Sequence, residues 1–254
     1  MSNFFFDTII IINLKRRPDK LKKVLQRIYD LKLEESVNIQ VLSAVDGKEL
    51  SDEWLKNNIR ISPLYRDSMR GRGMTYGEIG CALSHMRAWE MVKETPSIKN
   101  ALIIEDDAVF KPNFLEVTKR IQPGIENINY DFMYMGRKKM VEEKEPVVYS
   151  DVVQPYFSYW CLAYVLNKSG AKKLLTSNFL QNMIPVDEFV PILLGTPNPG
   201  LRHMLHHYNN NKKLNGLAVE QSIIWPEEFA FNNSDTEKSK VYFDNNFYDD
   251  GIDK

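Results

Sequence analysis

Three carboxylates in a row, Glu105, Asp106 and Asp107, follow the apolar run "ALII" at 101–104. Adjacent like charges repel, and each resists leaving water, so something at this point must offset both costs. A divalent cation is the usual candidate. In an extended segment side chains alternate, which predicts Glu105 and Asp107 on one side and Asp106 on the other. Two carboxylates on one side offer oxygen ligands suited to Mg²⁺ or Mn²⁺, and the same cation would serve a nucleotide diphosphate. The plainer alternative is a solvated acidic turn after a strand.

Which alternative holds depends on the elements around the triplet. The run "TIIIINL" at 8–14 has the continuous apolar character of a strand buried on both faces. Pro18 opens a helix that keeps Leu21, Val24, Leu25, Ile28 and Leu31 at helical spacing. "VNIQVLSAVDG" reads as a second strand ending in Asp46-Gly47. Residues 51–76 are polar, with "RGRG" at 70–73, and read as a long surface segment. "GEIGCALSHMRAWEMVKE" is a helix with Ile79, Leu83, Met86 and Trp89 near one stripe. "ALII" is the next strand, Pro112 to Ile121 a helix, and "YDFMYMG" a further strand.

Beyond Gly136, "VVYSDVV" and "FSYWCLAYVLN" read as strands, with pairing as a hairpin one arrangement for them. "SGAKKLLTS" and "PVDEFVPILL" are short helices, the second with Pro185 at its first position. "GLAVEQSIIW" is a late strand, and the tail from residue 234 lacks periodicity. Strand and helix alternate as in a doubly wound α/β sheet. In such sheets ligands bind outside the carboxyl ends of the strands, which is where the acidic triplet sits. There is no internal repeat and no linker, so one domain over 1–254 is expected.

Composition sets bounds. The chain has 254 residues, formal net charge −1 and 43% hydrophobic residues, so no global field argues for nucleic acid or an anionic membrane. No apolar run approaches the ~20 residues of a membrane span. "FFFDTIIIINL" is followed by "KRRPDK" with no small-residue cleavage site, so it reads as a strand and not a signal peptide. Cys81 and Cys161 stand in apolar surroundings, which fits a reducing, cytoplasmic setting over a disulfide framework.

"IIIINLKRRPDKLKKV", "AVDGKEL", "GEIGCALSHMRAWE" and "ALIIEDDAVF" together resemble glycosyltransferase family 25, in order and at similar spacing. "YMGRKKM", "FSYWCLAYVLNKSGAKKLL", "MIPVDEFVPILL" and "NNSDTEKS" look like its procollagen galactosyltransferase branch. The likeness runs from about residue 8 to about 239. It implies a single GT-A-type, Rossmann-like domain on a mixed, mostly parallel sheet. Residues 1–136 would form the nucleotide-sugar half, 137–233 the acceptor side, and 234–254 an irregular tail. It also implies a UDP-sugar donor, Mn²⁺ (or Mg²⁺) as cofactor, and transfer of galactose to hydroxylysine of a collagen-like protein. UDP-glucose as donor, a lipooligosaccharide acceptor, a metal-dependent nucleotidyltransferase and a catalytically silent UDP-sugar-binding module are the competing readings.

The resemblance assigns roles residue by residue. Glu105 and Asp107 correspond to the metal-binding acids, with Glu105 or Asp106 reaching the ribose. Where the collagen enzymes have "PTHY", this chain has "PEEF" at 226–229, so Glu228 falls where a histidine ligand sits. Leu14, Arg16 and Arg17 after the first strand would read the base and phosphate, and Asp46-Gly47 the ribose. Ser84 and His85 take donor-site positions, and Cys81 that of a small core residue. In "PYFSYWCLAY", Tyr156, Tyr159 and Trp160 offer faces to a sugar, with Trp160 preferred. Alternation would put Tyr159 and Cys161 on one face and Trp160 on the other. An inverting transfer needs a base for the acceptor hydroxyl; Asp187 of "PVDEF" is the first candidate and Glu188 the alternate, both in a helix's first turn, which would lower their pKa. His203 and His207 of "RHMLHHYNNNKKL" would share a helical face as a surface feature.

Overall fold

The computed structural model describes residues 4–68, 70–208, 213–227 and 239–242. β1 (Thr8–Asn13) is buried along its whole length. Its period of two divides the isoleucines, Ile10 and Ile12 entering one hydrophobic cluster and Ile9 and Ile11 the other. Pro18 fills the first position of α1 (Pro18–Asp30), where a missing N–H costs nothing, and Val24 and Ile28 are buried. β2 (Asn38–Ser43) lies parallel to β1 at the sheet edge. Then come α2 (Asp52–Asn58) and the long α3 (Tyr76–Glu94), which starts at a capping box between Thr75 and Glu78.

Two expectations change here. The segment 51–76 is not merely surface, because Leu55, Ile59, Tyr65 and Met74 are buried in the cluster that α3 enters. Those apolar residues stand singly among polar neighbours, so no period marks them. α3 is buried on most sides instead of along one stripe; His85, Ala88 and Val92 are covered as well as Ile79, Leu83 and Trp89.

β3 (Asn100–Glu105), β4 (Ala108–Phe110), α4 (Phe114–Ile125) and β5 (Phe132–Lys139) follow, with α4 running on through Pro123. "VVYSDVV" supplies both arms of a hairpin, β6 (Val147–Tyr149) and β7 (Val152–Val153). β8 (Ser158–Asn167) does not pair with that hairpin. It inserts antiparallel between β3 and β5, where its apolar residues 161–166 are all buried. Covering both faces of such a strand is worth more than pairing it at an edge. α5 (Lys168–Leu175) and α6 (Val186–Leu194) come next, Pro185 standing just outside α6 and not in its first turn. "GLAVEQSIIW" is two strands: β9 (Gly216–Val219) joins β5, and β10 (Ile224–Pro226) leaves to pair with β4.

The main sheet has the order β2-β1-β3-β8-β5-β9-β7-β6. β1, β2, β3, β5, β9 and β6 run one way and β8 and β7 the other, so the sheet is mixed and mostly parallel in direction. α3, α5 and α6 cover one face, and α1 and α4 the other. The carboxyl ends of β1, β2, β3 and β5 therefore meet the start of the reversed β8 along one edge. Of the tail, Val241 bridges Thr75; residues 234–238 and 243–254 lie outside the described residues.

Candidate active site

A cavity of about 490 Å³ opens along that edge. Leu14, Arg16, Asp46, Gly47, Ser84, His85, Glu105, Asp106, Asp107, Trp160, Asp187 and Glu188 all line it. Arg17 does not; its Nε turns to Asp19 at 3.4 Å while its carbonyl accepts from Asn13 Nδ2 at 3.0 Å. Glu228 lies outside the described residues. The described backbone reaches the triplet just before it, where Glu227 N–H donates to the Asp107 carbonyl at 2.9 Å.

β3 ends at Glu105, and Asp106 and Asp107 form a turn. The alternation expected of an extended segment therefore fails, and all three carboxylates reach the cavity. Asp106 is buried and accepts from Asn13 Nδ2 at 2.7 Å, with Lys20 Nζ 3.4 Å away. Lys20 also stands 3.9 Å from Asp107. Nothing in the basic run "KRRPDK" singled that lysine out. Asp107 Oδ1 is buried with no hydrogen-bond partner among the described residues. Burial first, and the charge of Glu105 second, push the Asp107 carboxyl up to about 7. Burial raises Asp106 too.

A buried carboxylate oxygen without a donor costs on the order of 1–3 kcal/mol, and a hard cation removes that cost. Among the described residues the triplet forms no three-oxygen cage of its own; the one group of three donors within 4.8 Å of one another is Cys81, His85 and Glu105. Two carboxylates, completed by diphosphate oxygens and water, are the habit of Mg²⁺. The acidic turn fits such an ion.

The floor of the cavity is the turn after β2. Arg16 pairs with Asp46, and Asp46 accepts from Lys48 N–H at 3.0 Å to cap a short 3₁₀ turn. Gly47 and Gly80 are required by how closely α3 crosses this turn. A Cβ on Gly80 would stand 2.7 Å from the Val45 carbonyl oxygen and 2.8 Å from Gly47 N. Ser84 donates to the Gly80 carbonyl at 2.6 Å and accepts from Val45 N–H at 2.8 Å, so its hydroxyl builds the turn. His85 is fully buried, its Nδ1 2.9 Å from Tyr164 Oη and its Nε2 3.4 Å from Glu105 Oε1.

The other wall comes from β8 and the start of α6. Asp187 sits deep in the molecule with one side open to the cavity, and its Oδ1 accepts from Cys161 N–H at 2.7 Å. Burial, followed by the Glu105 charge, raises its pKa; the lowering expected from the helix N-terminus loses to desolvation. Glu188 Oε1 accepts from Tyr159 Oη at 3.0 Å and Asn198 Nδ2 at 3.3 Å, while Oε2 is buried without a partner among the described residues. Burial pushes Glu188 up to about 7.

Alternation also fails at Trp160. Three β8 residues stand between Tyr159 and Ala163 where β5 has only Arg137 between their partners, Lys138 and Gly136. Trp160 has φ +75° in this irregular stretch, and both Tyr159 and Trp160 face the cavity. Trp160 meets Trp225 edge-on at 5.7 Å. Tyr156 instead gives its backbone N–H to Glu145 at 2.7 Å. Tyr65, Asp67, Arg70, Glu78 and Lys138 also line the cavity; Tyr65 and Asp67 lie in no motif, and Arg70, Glu78 and Lys138 stand in quoted stretches that gave them no role. The histidines of 203–207 lie on a 3₁₀ helix (Pro199–His207) outside that lining.

The model of "Glycosyltransferase family 25 (LPS biosynthesis protein)" matches residues 6–190. Procollagen galactosyltransferase 2 of Homo sapiens is 35% identical over 249 residues, 93% of this chain and 38% of that protein. A glycosyltransferase 25 family member of Drosophila melanogaster is 43% identical over 196 residues, 76% of this chain and 31% of the other. Inactive glycosyltransferase 25 family member 3 of Homo sapiens is 34% identical over 251 residues, 96% of this chain and 41% of that protein. The chain spans about two fifths or less of the length of these relatives. The matched residues include the acidic turn, the turn after β2, α3 and the start of α6, and the chain belongs to glycosyltransferase family 25.

Proposed function

We propose that this chain is a metal-dependent, inverting glycosyltransferase that moves galactose from UDP-galactose to hydroxylysine of a collagen-like polypeptide. The observation that carries this reading is the presence, in the walls of one cavity, of two buried carboxylate oxygens without partners among the described residues, one on Asp107 and one on Glu188. The first suits a cation and the second suits a proton in transit.

Glu105 and Asp107 would hold Mn²⁺ or Mg²⁺, which when bound supplies Lewis-acid charge for a departing diphosphate. Lys20 adds fixed positive charge beside Asp106 and Asp107. Leu14, Arg16, Asp46 and Gly47, at the ends of β1 and β2, bind the nucleotide. Trp160 and Tyr159 offer ring faces to the sugar. Inversion by one displacement needs a base within reach of the acceptor hydroxyl, and the best base has a pKa near the working pH. Glu188 meets the pKa condition, and its Oε2 has no partner among the described residues, whereas Asp187 Oδ1 accepts from the Cys161 N–H. Glu188 takes the proton and Asp187 stands as its alternate.

Likeness extends equally to a relative named inactive, so a module that binds UDP-sugar without turnover is the second reading. UDP release from UDP-galactose, with Mn²⁺ and a hydroxylysine-containing collagen peptide, separates the two. Peptide- and metal-dependent release that disappears in Asp107→Asn is the expected result. Metal-dependent UDP binding with no turnover on peptide or lipooligosaccharide would defeat the enzyme reading.

A further inference from the structure

Cys81 and His85 are four residues apart on α3 and therefore share a face, and that face meets the last residue of β3, Glu105. One sulfur, one ring nitrogen and one carboxylate oxygen lie within 4.8 Å of one another. We propose that Cys81, His85 and Glu105 form a binding site for a borderline-soft divalent cation, Zn²⁺ in type, distinct in chemistry from the hard-cation site of the acidic turn.

The donor set argues for it. Thiolate and imidazole suit Zn²⁺, while Mg²⁺ and Mn²⁺ prefer carboxylate, carbonyl and water. The surroundings argue for it as well. A zinc-binding histidine commonly has its second nitrogen held by an outer partner; His85 Nδ1 is 2.9 Å from Tyr164 Oη, and Tyr164 Oη accepts from Trp89 Nε1 at 2.9 Å. That chain fixes the ring and leaves Nε2 toward Glu105. All three residues line the cavity, which gives an ion its path, and its fourth position would go to water. Binding displaces the thiol proton: Zn²⁺ and Cys81–SH give Zn²⁺–S⁻ and H⁺ released to solvent, with no change of oxidation state. Glu105 belongs to both sites, so zinc here takes a ligand from the acidic turn. That inhibitory consequence rests on the proposed function; the binding itself does not.

Titration of the native protein with Co²⁺, followed by absorption, tests the site directly. The expected result is a thiolate-to-cobalt charge-transfer band that saturates at one equivalent and is displaced by Zn²⁺. The band persists in Cys161→Ser and is lost in Cys81→Ser, with Zn²⁺ affinity falling about 100-fold or more, since loss of even an outer partner costs roughly 10–100-fold. No band in the native protein, or a band unchanged in Cys81→Ser, overturns the proposal. The native spectrum decides even if the variant does not fold. In the UDP-release assay, Zn²⁺ should inhibit Mn²⁺-supported turnover in the native protein and much less in Cys81→Ser; equal inhibition overturns the shared role of Glu105. Absence of all turnover would remove the proposed activity while the cobalt spectrum still judged the site.

Discussion

Stability alone would not keep Asp107 and Glu188 as carboxylates, because each buries an oxygen that none of the described residues satisfies. Asp107→Asn should therefore do two things at once. Metal-supported turnover falls by about 10²-fold or more, as expected when a charge-stabilising group is removed, while the metal-free protein gains on the order of 1 kcal/mol, or roughly 2–4 °C in Tm. Differential scanning calorimetry beside the UDP-release assay checks both. Glu188 is pushed from 4.5 to about 7, so between those values the folded chain holds a proton that the unfolded chain has released. Stability is thus lost as pH rises through this window, and the loss is complete above about 7. Glu188→Gln should be more stable than the native protein at pH 8 by up to roughly 3 kcal/mol, and equal to it at pH 4, by denaturant titration. Native turnover should climb with pH through about 7, and the variant should lose about 10²–10⁴ in kcat. A variant with native kcat would pass the role of base to Asp187.

At the scale of elements, the side of the cavity proposed to take the nucleotide depends on α3 lying against the turn after β2. The contact is backbone to backbone at Gly80, with the Val45 oxygen and Gly47 nitrogen where a Cβ would be. Neither atom can swing away as a side chain would, so Gly80→Ala must shift the helix or the turn. The expected cost is about 1–3 kcal/mol. Because Asp46 and Gly47 lie in that turn, UDP affinity should fall with it, which calorimetric titration would show. Unchanged affinity in a destabilised variant would separate the turn from nucleotide binding. Ser84 serves the same contact from inside α3, through its bonds to Gly80 and Val45.

At the scale of the molecule, β8 joins what the chain order separates. It follows both β3 and β5 in the sequence, yet lies between them in the sheet. The two hydrophobic clusters face each other across this one sheet. Trp89 belongs to one cluster and Trp160 packs on the other. Unfolding followed by tryptophan fluorescence and by far-ultraviolet circular dichroism should therefore give one coincident transition. Two separated transitions would mean that residues 1–136 and 137–233 fold as independent units.

Local signals in the chain specify the parts that need no distant partner. The isoleucine run made β1, Pro18 with helical spacing made α1, and the composition of 101–107 placed three acids at a strand end. "PVDEF" marked the start of α6, and the cluster of blocks marked the family. Periodicity reports that a strand has two faces, but not which strands lie beside it, and so the folded molecule alone sets β8 at the centre and divides "GLAVEQSIIW" between two sheets. It decided that Tyr65 and Asp67, from a segment with no period, help line the cavity, and that Arg17 turns away from it. It decided the failures of alternation at Asp106 and Trp160, where a turn and an irregular pairing replace the extended chain. It also decided the charge state of Asp187 and Glu188: a helix start favours ionised acids by a small amount, and burial, which depends on everything packed around them, opposes ionisation by more.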